Sequence, residues 1–312
     1  MRTLTGWSGL APEDRGAAVA IGNFDGVHRG HRAVIDRARA VATSVGCPLG
    51  VVTFEPHPRE VFVPESAPFR LMNAEARAHR LEKLGVERLY ELPFDARVSG
   101  LTAEDFAREV LAEGIGAAHA VVGADFRFGK GRTGTAEGLR DFGLRYGFGV
   151  TVADLVLGSA GRVSSTAIRA ALGDGRPREA ATMLGHWHRI EGPVLHGDKR
   201  GRDLGYPTAN MALTGLHPPR FGVYAVLVDV LSGPHRGSHH GAASLGIRPM
   251  FETPVPTIET YLFDFAGDLY DTHLSVGLVE FLRPEAKFDS LDALVIQMRK
   301  DCARARDILA AL

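Results

Sequence analysis

AVAIGNFDGVHRGHRAVI, residues 18–35, is the stretch from which the first half of the chain can be read. The apolar run from Ala17 to Ile21 has the length of a buried strand, and Gly22, Asn23, Asp25 and Gly26 break it into a tight loop. A helical pattern begins at about His28, so His28 and His31, three residues apart, share a face of its first turn. The free N–H groups and partial positive charge of a helix start suit a phosphate. Gly30 permits close approach, and the imidazoles add donors where charge builds up during phosphoryl or nucleotidyl transfer. A histidine pair judged on spacing alone fits an ordinary surface helix; strand, glycine loop, HxGH and helix in one block point to nucleotide chemistry.

Outward from this block, residues 1 to 185 alternate between strand-like and helix-like patterns. Strands are expected at Leu49–Phe54, Arg88–Leu92, Ala118–Val122 and Val150–Leu155, with helices at Ala74–Leu84, from Thr102 to Leu111, and at Thr135–Tyr146. Such alternation implies a parallel sheet covered by helices on both faces, with chemistry in the loops after the strands. Those loops are unusual. In FEPHPREVF, Pro56 and Pro58 hold His57 in a rigid extended segment. In GADFRFGKGRTG, Phe126 and Phe128 suit stacking on an aromatic ligand beside Asp125 and Arg127, or alternatively face a core. In RVSSTAIRAAL, Ser164, Ser165 and Thr166 crowd a helix start with Arg169 one turn on; capping explains one hydroxyl, and the whole group favours a triphosphate.

HxGH with a late SSTxxR is the pattern of the nucleotidylyltransferase superfamily. GNFDGVHRGH, FEPHP, GADFRFG and VSSTAIR together closely resemble the FMN adenylyltransferase half of bacterial bifunctional riboflavin kinase/FAD synthetases. The resemblance implies attack of an FMN phosphate oxygen on the α-phosphorus of ATP, with pyrophosphate leaving. It implies that His28, His31 and Arg169 neutralise developing charge, and that Gly22, Asn23, Phe24, Asp25, Gly30, Ser164, Ser165 and Thr166 contact ATP. His57, Asp125 and Phe128 would lie near the flavin. Asp125 stands where many relatives carry Asn, exchanging an amide for an acceptor-only carboxylate.

Near residue 185 the pattern changes. A glycine and proline break, a short helix at Pro177–Leu184 and Gly185 precede strand-like sequence, so the domains are expected at 1–185 and 186–312. Strands are expected around Glu191–Leu195, Val223–Val230, Gly241–Gly246, Thr257–Phe265 and His273–Phe281, in an antiparallel barrel or sandwich. Leu291, Leu294, Met298, Cys302, Ala305 and Leu309 give a C-terminal amphipathic helix that packs on it. HGDKRGRDLGYPTAN, residues 196–210, offers Gly197, Lys199, Gly201 and Gly205 in a basic loop suited to phosphates. On the extended segment after it, Thr208 and Asn210 face one side as hard oxygen ligands for Mg2+. His235, His239 and His240 lack nearby carboxylate or cysteine ligands and read as a solvated loop between strands.

This half closely matches the flavokinase domain through GDKRGRDLGYPTAN, FGVYAV, SLGIRPMF, TIETYLFDFAGDLY and FLRPEAKF. By itself Glu259 reads as a solvent-facing strand carboxylate. The resemblance makes it the base on the ribityl 5'-hydroxyl, with Thr208 and Asn210 holding Mg2+ against ATP and Arg283 shaping the flavin site. Met250 and Asp271 stand where relatives usually have Thr and Gly, Asp271 at a position that tolerates positive φ. The expected fold is a Rossmann-like α/β nucleotidylyltransferase domain followed by an antiparallel flavokinase barrel with a C-terminal helix. The expected enzyme phosphorylates riboflavin to FMN and adenylylates FMN to FAD. Two other readings use the same residues: a riboflavin kinase whose adenylyltransferase half has degenerated, suggested by Asp125, and a flavin-sensing regulator.

Composition agrees with such a protein. A chain of 312 residues predicts two domains, and 45% apolar with 23% charged residues is the balance of a soluble globular protein. A net charge of −1 argues against a nucleic-acid or anionic-membrane surface. The first residues lack the apolar core of a signal peptide and no apolar run reaches the ~20 residues of a membrane helix, so the cytoplasm is the expected compartment. Cys47 and Cys302 read as buried free thiols. Self-association stays open at this level.

Overall fold

The computed structural model describes residues 1–154, 157–158, 161–196, 205–247 and 255–312. By packing, the chain forms two compact units: Met1–Ser66 with Arg77–Val163, and Ala67–Ala76 with Ser164–Leu312.

In the first unit, β1 (Arg2–Thr5), β2 (Ala18–Ile21), β3 (Leu49–Glu55), β4 (Arg88–Pro93), β5 (His119–Gly123) and β8 (Gly149–Ala153) pair in the order β1-β4-β3-β2-β5-β8. Every pairing in that sheet is parallel. A small antiparallel pair, β6 (Arg127–Phe128) and β7 (Gly134–Thr135), lies between β5 and β8 in sequence. From β2 the chain steps to β3 on one side, and β5 later pairs on the other, so the loop after β2 opens at the switch point of the sheet. The strands expected from apolar runs form within a few residues of their places. The strand of this sheet that the sequence did not announce is β1, whose RTLT lacks an apolar run and is held by its ladder to β4.

Helix α1 (Arg29–Val45) lies against β2, β3 and β5, burying Val34, Ile35, Ala38 and Ala42. The other face meets α6 (Ala136–Tyr146) and a π-helical stretch, Phe106–Ile115, in a core with Val19, Ile21, Val52, Leu92, Val122 and Leu139. Between these run α2 (Pro58–Phe62), α3 (Ala74–Lys83), α4 (Ala96–Gly100) and α5 (Ala103–Asp105), the last leading into the π-helical stretch. Thr102 caps α5 as expected, its hydroxyl accepting from Asp105 N–H at 3.1 Å, but the continuation is wound more widely than an α-helix and reaches Ile115. A two-residue hairpin, β9 (Leu157–Gly158) with β10 (Gly161–Arg162), closes the unit's sequence.

The second unit begins with α7 (Ser165–Gly173) and α8 (Pro177–Leu184), which ends on Gly185 in the left-handed conformation. Composition changes at residue 185, whereas packing groups both helices with the second unit. Ile168, Ala171, Leu172, Ala180 and Leu184 share one core with Leu71 of the 67–76 segment. Then β11 (His188–Pro193), β12 (Ala209–Ala212), β13 (Gly222–Val230), β14 (Gly237–Ile247), β15 (Pro256–Leu262) and β16 (His273–Arg283) form an antiparallel sheet, ordered β11-β16-β13-β14-β15-β12. A bridge between Leu195 and Asn210, with Leu195 N–H donating to Asn210 at 2.8 Å, nearly closes it into a barrel. Ile190, Val226, Leu245, Ile258 and Leu278 fill the interior. Helix α9 (Leu291–Ala310) packs outside, through Ala305 and Leu309 against Ala225, Val279 and Leu282.

Two expectations need correction. The strand expected at Glu191–Leu195 runs instead from His188 to Pro193, because its partner on β16 is Leu278–His273. His239 and His240 are not in a solvated loop: both stand in β14, and the rings of His235 and His239 meet Phe265 edge-on at 5.4 and 5.2 Å. Their strand partners are Val228 and Leu227. Asp271 does adopt positive φ, 59°. Among the described residues no helix is long and apolar enough to cross a membrane.

Candidate functional site

The loop from Gly22 to His28 holds two non-glycine residues at positive φ. Phe24 and Val27 have φ of 51° and 42°, both almost fully buried. A β-branched or bulky side chain in that region is sterically costly, and such strain collects where a loop must hold one shape. Asn23 is tied down through its carbonyl, which accepts from Thr53 Oγ1 at 3.2 Å, and Asp25 is buried beside it.

His28 ends the loop by capping α1. Its Nδ1 accepts from the backbone N–H of His31 at 3.2 Å, so a neutral His28 ring carries its proton on Nε2. The two imidazoles stack at 3.7 Å and 12°, with Phe24 5.1 Å from His31. Gly30 serves this stack first: a Cβ there would lie 3.1 Å from the His28 ring. Burial, and then the neighbouring His28, hold the His31 pKa well below the usual histidine value. The His31 ring is thus neutral, and the stacked pair stands at a helix N-terminus. The buried Nδ1 of His31 has no hydrogen-bond partner among the described residues, an arrangement that costs stability unless a ligand meets it.

His57 and Asp125 follow β3 and β5, the neighbours of β2, so their loops leave the same end of the sheet. His57 is extended, as its flanking prolines require, yet it also starts α2. Its Nδ1 accepts from Arg59 N–H at 3.1 Å while Glu60 accepts from His57 N–H at 2.9 Å. Beyond it Phe62 is 65% exposed, an aromatic surface that the sequence reading did not single out. Asp125 is exposed in the turn after β5. Phe128 is 6% exposed and packs at 5.6 Å on Phe106 and 5.3 Å on Phe126, so its ring belongs to the core. Beneath β3, Arg77 is buried between Glu55 at 2.8 Å and Glu91 at 2.7 Å, fixing the strand end that leads to His57.

In the second unit, Ser164 caps α7, its hydroxyl accepting from Ala167 N–H at 3.2 Å. Ser165 and Thr166 follow in the first turn, with Thr166 exposed. Arg169 is half-buried, its Nε–H donating to the Phe69 carbonyl at 2.6 Å.

The barrel brings together residues that are far apart in sequence. Register places Asn210 of β12 directly opposite Glu259 of β15, whose other neighbour is Ser244 of β14. Opposed residues share a face. Alternate residues Ile258, Thr260 and Leu262 point inward and are buried, so Glu259, Asn210 and Ser244 are on the outer face, each half-buried. Thr208, two residues before Asn210, lines a cavity of about 310 Å³ together with Val194, Leu262, Phe265, Asp268 and Tyr270. His196 stacks on Tyr270 at 4.0 Å. The aromatic and aliphatic walls of this cavity, contributed by Phe265 and Tyr270 above all, were missed because nothing in FDFAGDLY marks which rings turn toward Thr208. Gly205 adopts φ of 81°. Gly197, Lys199 and Gly201 lie outside the described residues, as does Met250. Arg283 pairs with Asp301 of α9 at 2.9 Å and lies over Phe288.

Comparison with known proteins agrees with this division of chemistry. The family model for FAD synthetase matches residues 10–167 and that for riboflavin kinase matches residues 184–309. Among curated relatives, the bifunctional riboflavin kinase/FMN adenylyltransferase of Pseudomonas fluorescens is 43% identical, over 99% of this chain and 98% of the relative. The proteins of that name from Escherichia coli (strain K12) and Bacillus subtilis (strain 168) are 39% and 35% identical, over 95% and 94% of this chain and 94% and 92% of theirs. A crystal structure described as a macrolide-efflux protein from Streptococcus pneumoniae shares the fold, with a TM-score of 0.81 at 32% identity over 96% of this chain and 97% of that one. With a strained HxGH loop in one unit, a carboxylate set against hydroxyl and amide oxygens in the other, and near full-length identity to enzymes of both activities, the chain belongs to the bifunctional riboflavin kinase/FMN adenylyltransferases.

Proposed function

We propose that phosphorylation of riboflavin is carried by Glu259 with Thr208 and Asn210, and adenylyl transfer to FMN by His28, His31 and Arg169. The observation that carries this reading is the register of β12 on β15, which sets the Asn210 amide opposite the Glu259 carboxylate. Glu259 takes the proton of the ribityl 5'-hydroxyl as that oxygen attacks the γ-phosphorus of ATP and ADP leaves. The donor set of Thr208 and Asn210 fits a hard cation: one hydroxyl and one amide oxygen, two residues apart, facing a carboxylate across the ladder. These two residues would hold Mg2+, which when bound neutralises charge on the ATP phosphates. The cavity beside Thr208 has the size and apolar lining expected for the nucleotide.

In adenylyl transfer an FMN phosphate oxygen attacks the α-phosphorus of ATP and pyrophosphate leaves. His28 and His31 act as hydrogen-bond donors, Arg169 supplies positive charge, and Ser164, Ser165 and Thr166 with the α7 N–H groups hold the phosphates. Gly22, Asn23, Phe24, Asp25 and Gly30 shape the ATP side, while His57 and Asp125 face the flavin. Phe128 supports that side from the core. Residues 1–185, through the SSTxxR helix, form the adenylyltransferase domain of this proposal, and 186–312 the kinase domain. Cytoplasmic location and direct ATP binding at both sites belong to the same reading. A degenerate first half is not favoured, because both families match in full sequence order.

The test is a time course with riboflavin, ATP and Mg2+, flavins being separated by chromatography. The wild type forms FMN and then FAD. Glu259→Ala forms no FMN from riboflavin yet converts supplied FMN to FAD at the wild-type rate; undiminished FMN formation by that variant removes Glu259 from the mechanism.

A further inference from the structure

Arg169 sits in a ring of hydrogen bonds that phosphate binding does not require. Its Nε–H donates to the Phe69 carbonyl at 2.6 Å, and its guanidinium carbon lies 5.4 Å over the Phe69 ring. Its own carbonyl is 3.0 Å from Nε2 of His217. A carbonyl oxygen only accepts, so that nitrogen bears the ring proton. The backbone N–H of His217 in turn donates to the Arg70 carbonyl at 2.8 Å, where Arg70 and Leu216 form a parallel bridge. Phe69–Arg70, Arg169 and Leu216–His217 therefore close a circuit of three segments that are distant in sequence but lie in one unit. The same stretch holds α7 further along, Arg220 N–H donating to the Leu172 carbonyl at 2.9 Å.

In an α-helix the carbonyl of residue 169 already serves the N–H four residues on. The imidazole adds a second donor at the turn that carries Arg169, and the Phe69 carbonyl orients the plane of its guanidinium. His217 lies within the match to riboflavin kinase, between β12 and β13, whereas the SSTxxR motif begins within the match to FAD synthetase. We infer that His217 is a positioning residue for adenylyl transfer: a side chain from the kinase part of the sequence seats the arginine of the other reaction. This rests on the reading that Arg169 meets the ATP phosphates. Its consequence is that the kinase sequence can carry substitutions that damage only FAD formation.

The experiment uses the full-length protein and measures riboflavin phosphorylation and FMN adenylylation separately. Arg169→Ala comes first: undiminished FAD synthesis there removes Arg169 from the reaction and the inference with it. Given loss in Arg169→Ala, His217→Leu is expected to lower kcat/KM for FMN adenylylation about tenfold or more, with riboflavin phosphorylation and the thermal midpoint unchanged. His217→Gln, which keeps an N–H donor, restores most of the rate. In an Arg169→Lys background His217→Leu has little further effect, since the two act as one unit. Wild-type adenylylation in His217→Leu, or an equal fractional loss in the Lys background, overturns the inference while leaving the role of Arg169 intact. Should His217→Leu lose both activities by misfolding, His217→Asn, polar but too short to reach the carbonyl, decides: selective loss of FAD formation supports the inference, and parallel loss of both activities overturns it.

Discussion

At the scale of single residues, two buried histidines make acid the weak side of this protein. Burial pushes His188 down to about 3, with the nearby His186 and His217 acting in the same direction. His31 is lowered by burial and then by His28. A folded state that refuses a proton which the unfolded chain accepts near pH 6.5 is stabilised above that pH and loses stability as pH falls below it. Between pH 7 and pH 5 His188 alone removes about 2 kcal/mol. Chemical denaturation at the two pH values checks this, and His188→Asn flattens the difference. The same shift keeps His31 neutral through the physiological range, so its ring NMR signals do not titrate between pH 6 and 8. Residue chemistry also explains how Asp271 holds a φ of 59°: Asp enters the left-handed region at lower cost than most side chains.

At the scale of elements, local caps decide where helices begin and packing decides how they are wound. His28, Thr102, Thr135, Ser164 and Ser290 each accept a backbone N–H three residues on, and each starts a helix. The π-helical stretch Phe106–Ile115 has no such local cause. It passes Trp7 so closely that a Cβ on Gly114 would lie 2.5 Å from the indole and 2.6 Å from the Trp7 carbonyl. Gly114→Ala is therefore expected to cost about 1–3 kcal/mol by overpacking, read as a lower denaturation midpoint. An unchanged midpoint would mean that the stretch rewinds without penalty.

At the scale of the whole molecule, each unit has its own core. His28 and His31 belong to the first unit, and the SSTxxR helix, Asn210 and Glu259 to the second. On the proposed roles, heat inactivation should be asymmetric. Leu278→Ala, in the barrel core, costs about 2–5 kcal/mol and lowers the temperature at which both activities are lost. Leu92→Ala, in the core of the first unit, lowers it for adenylyl transfer while riboflavin phosphorylation persists. Parallel loss of both activities in Leu92→Ala would show that the kinase depends on the first unit as well.

The sequence by itself determined most of the longer elements, the parallel and antiparallel halves, and the motifs HxGH, SSTxxR and PTAN, because apolar period, caps and turn residues act over a few positions. Tertiary structure alone decided what depends on partners distant in the chain. Asn210 faces Glu259 through a ladder between segments forty-nine residues apart in sequence, and a one-residue slip would turn Glu259 inward. The polar strand β1 exists because β4 offers it an edge, and His239 belongs to a strand because Val228 pairs with it. Phe128 turns into the core because Phe106 and Phe126 surround it. Arg169 meets Phe69, and His217 meets Arg169, because packing gathers residues 67–76, 164–173 and 216–220 into one unit. Spacing along a chain records neighbours on one helix or strand, whereas contacts between separate segments are set by the register and packing of the folded whole.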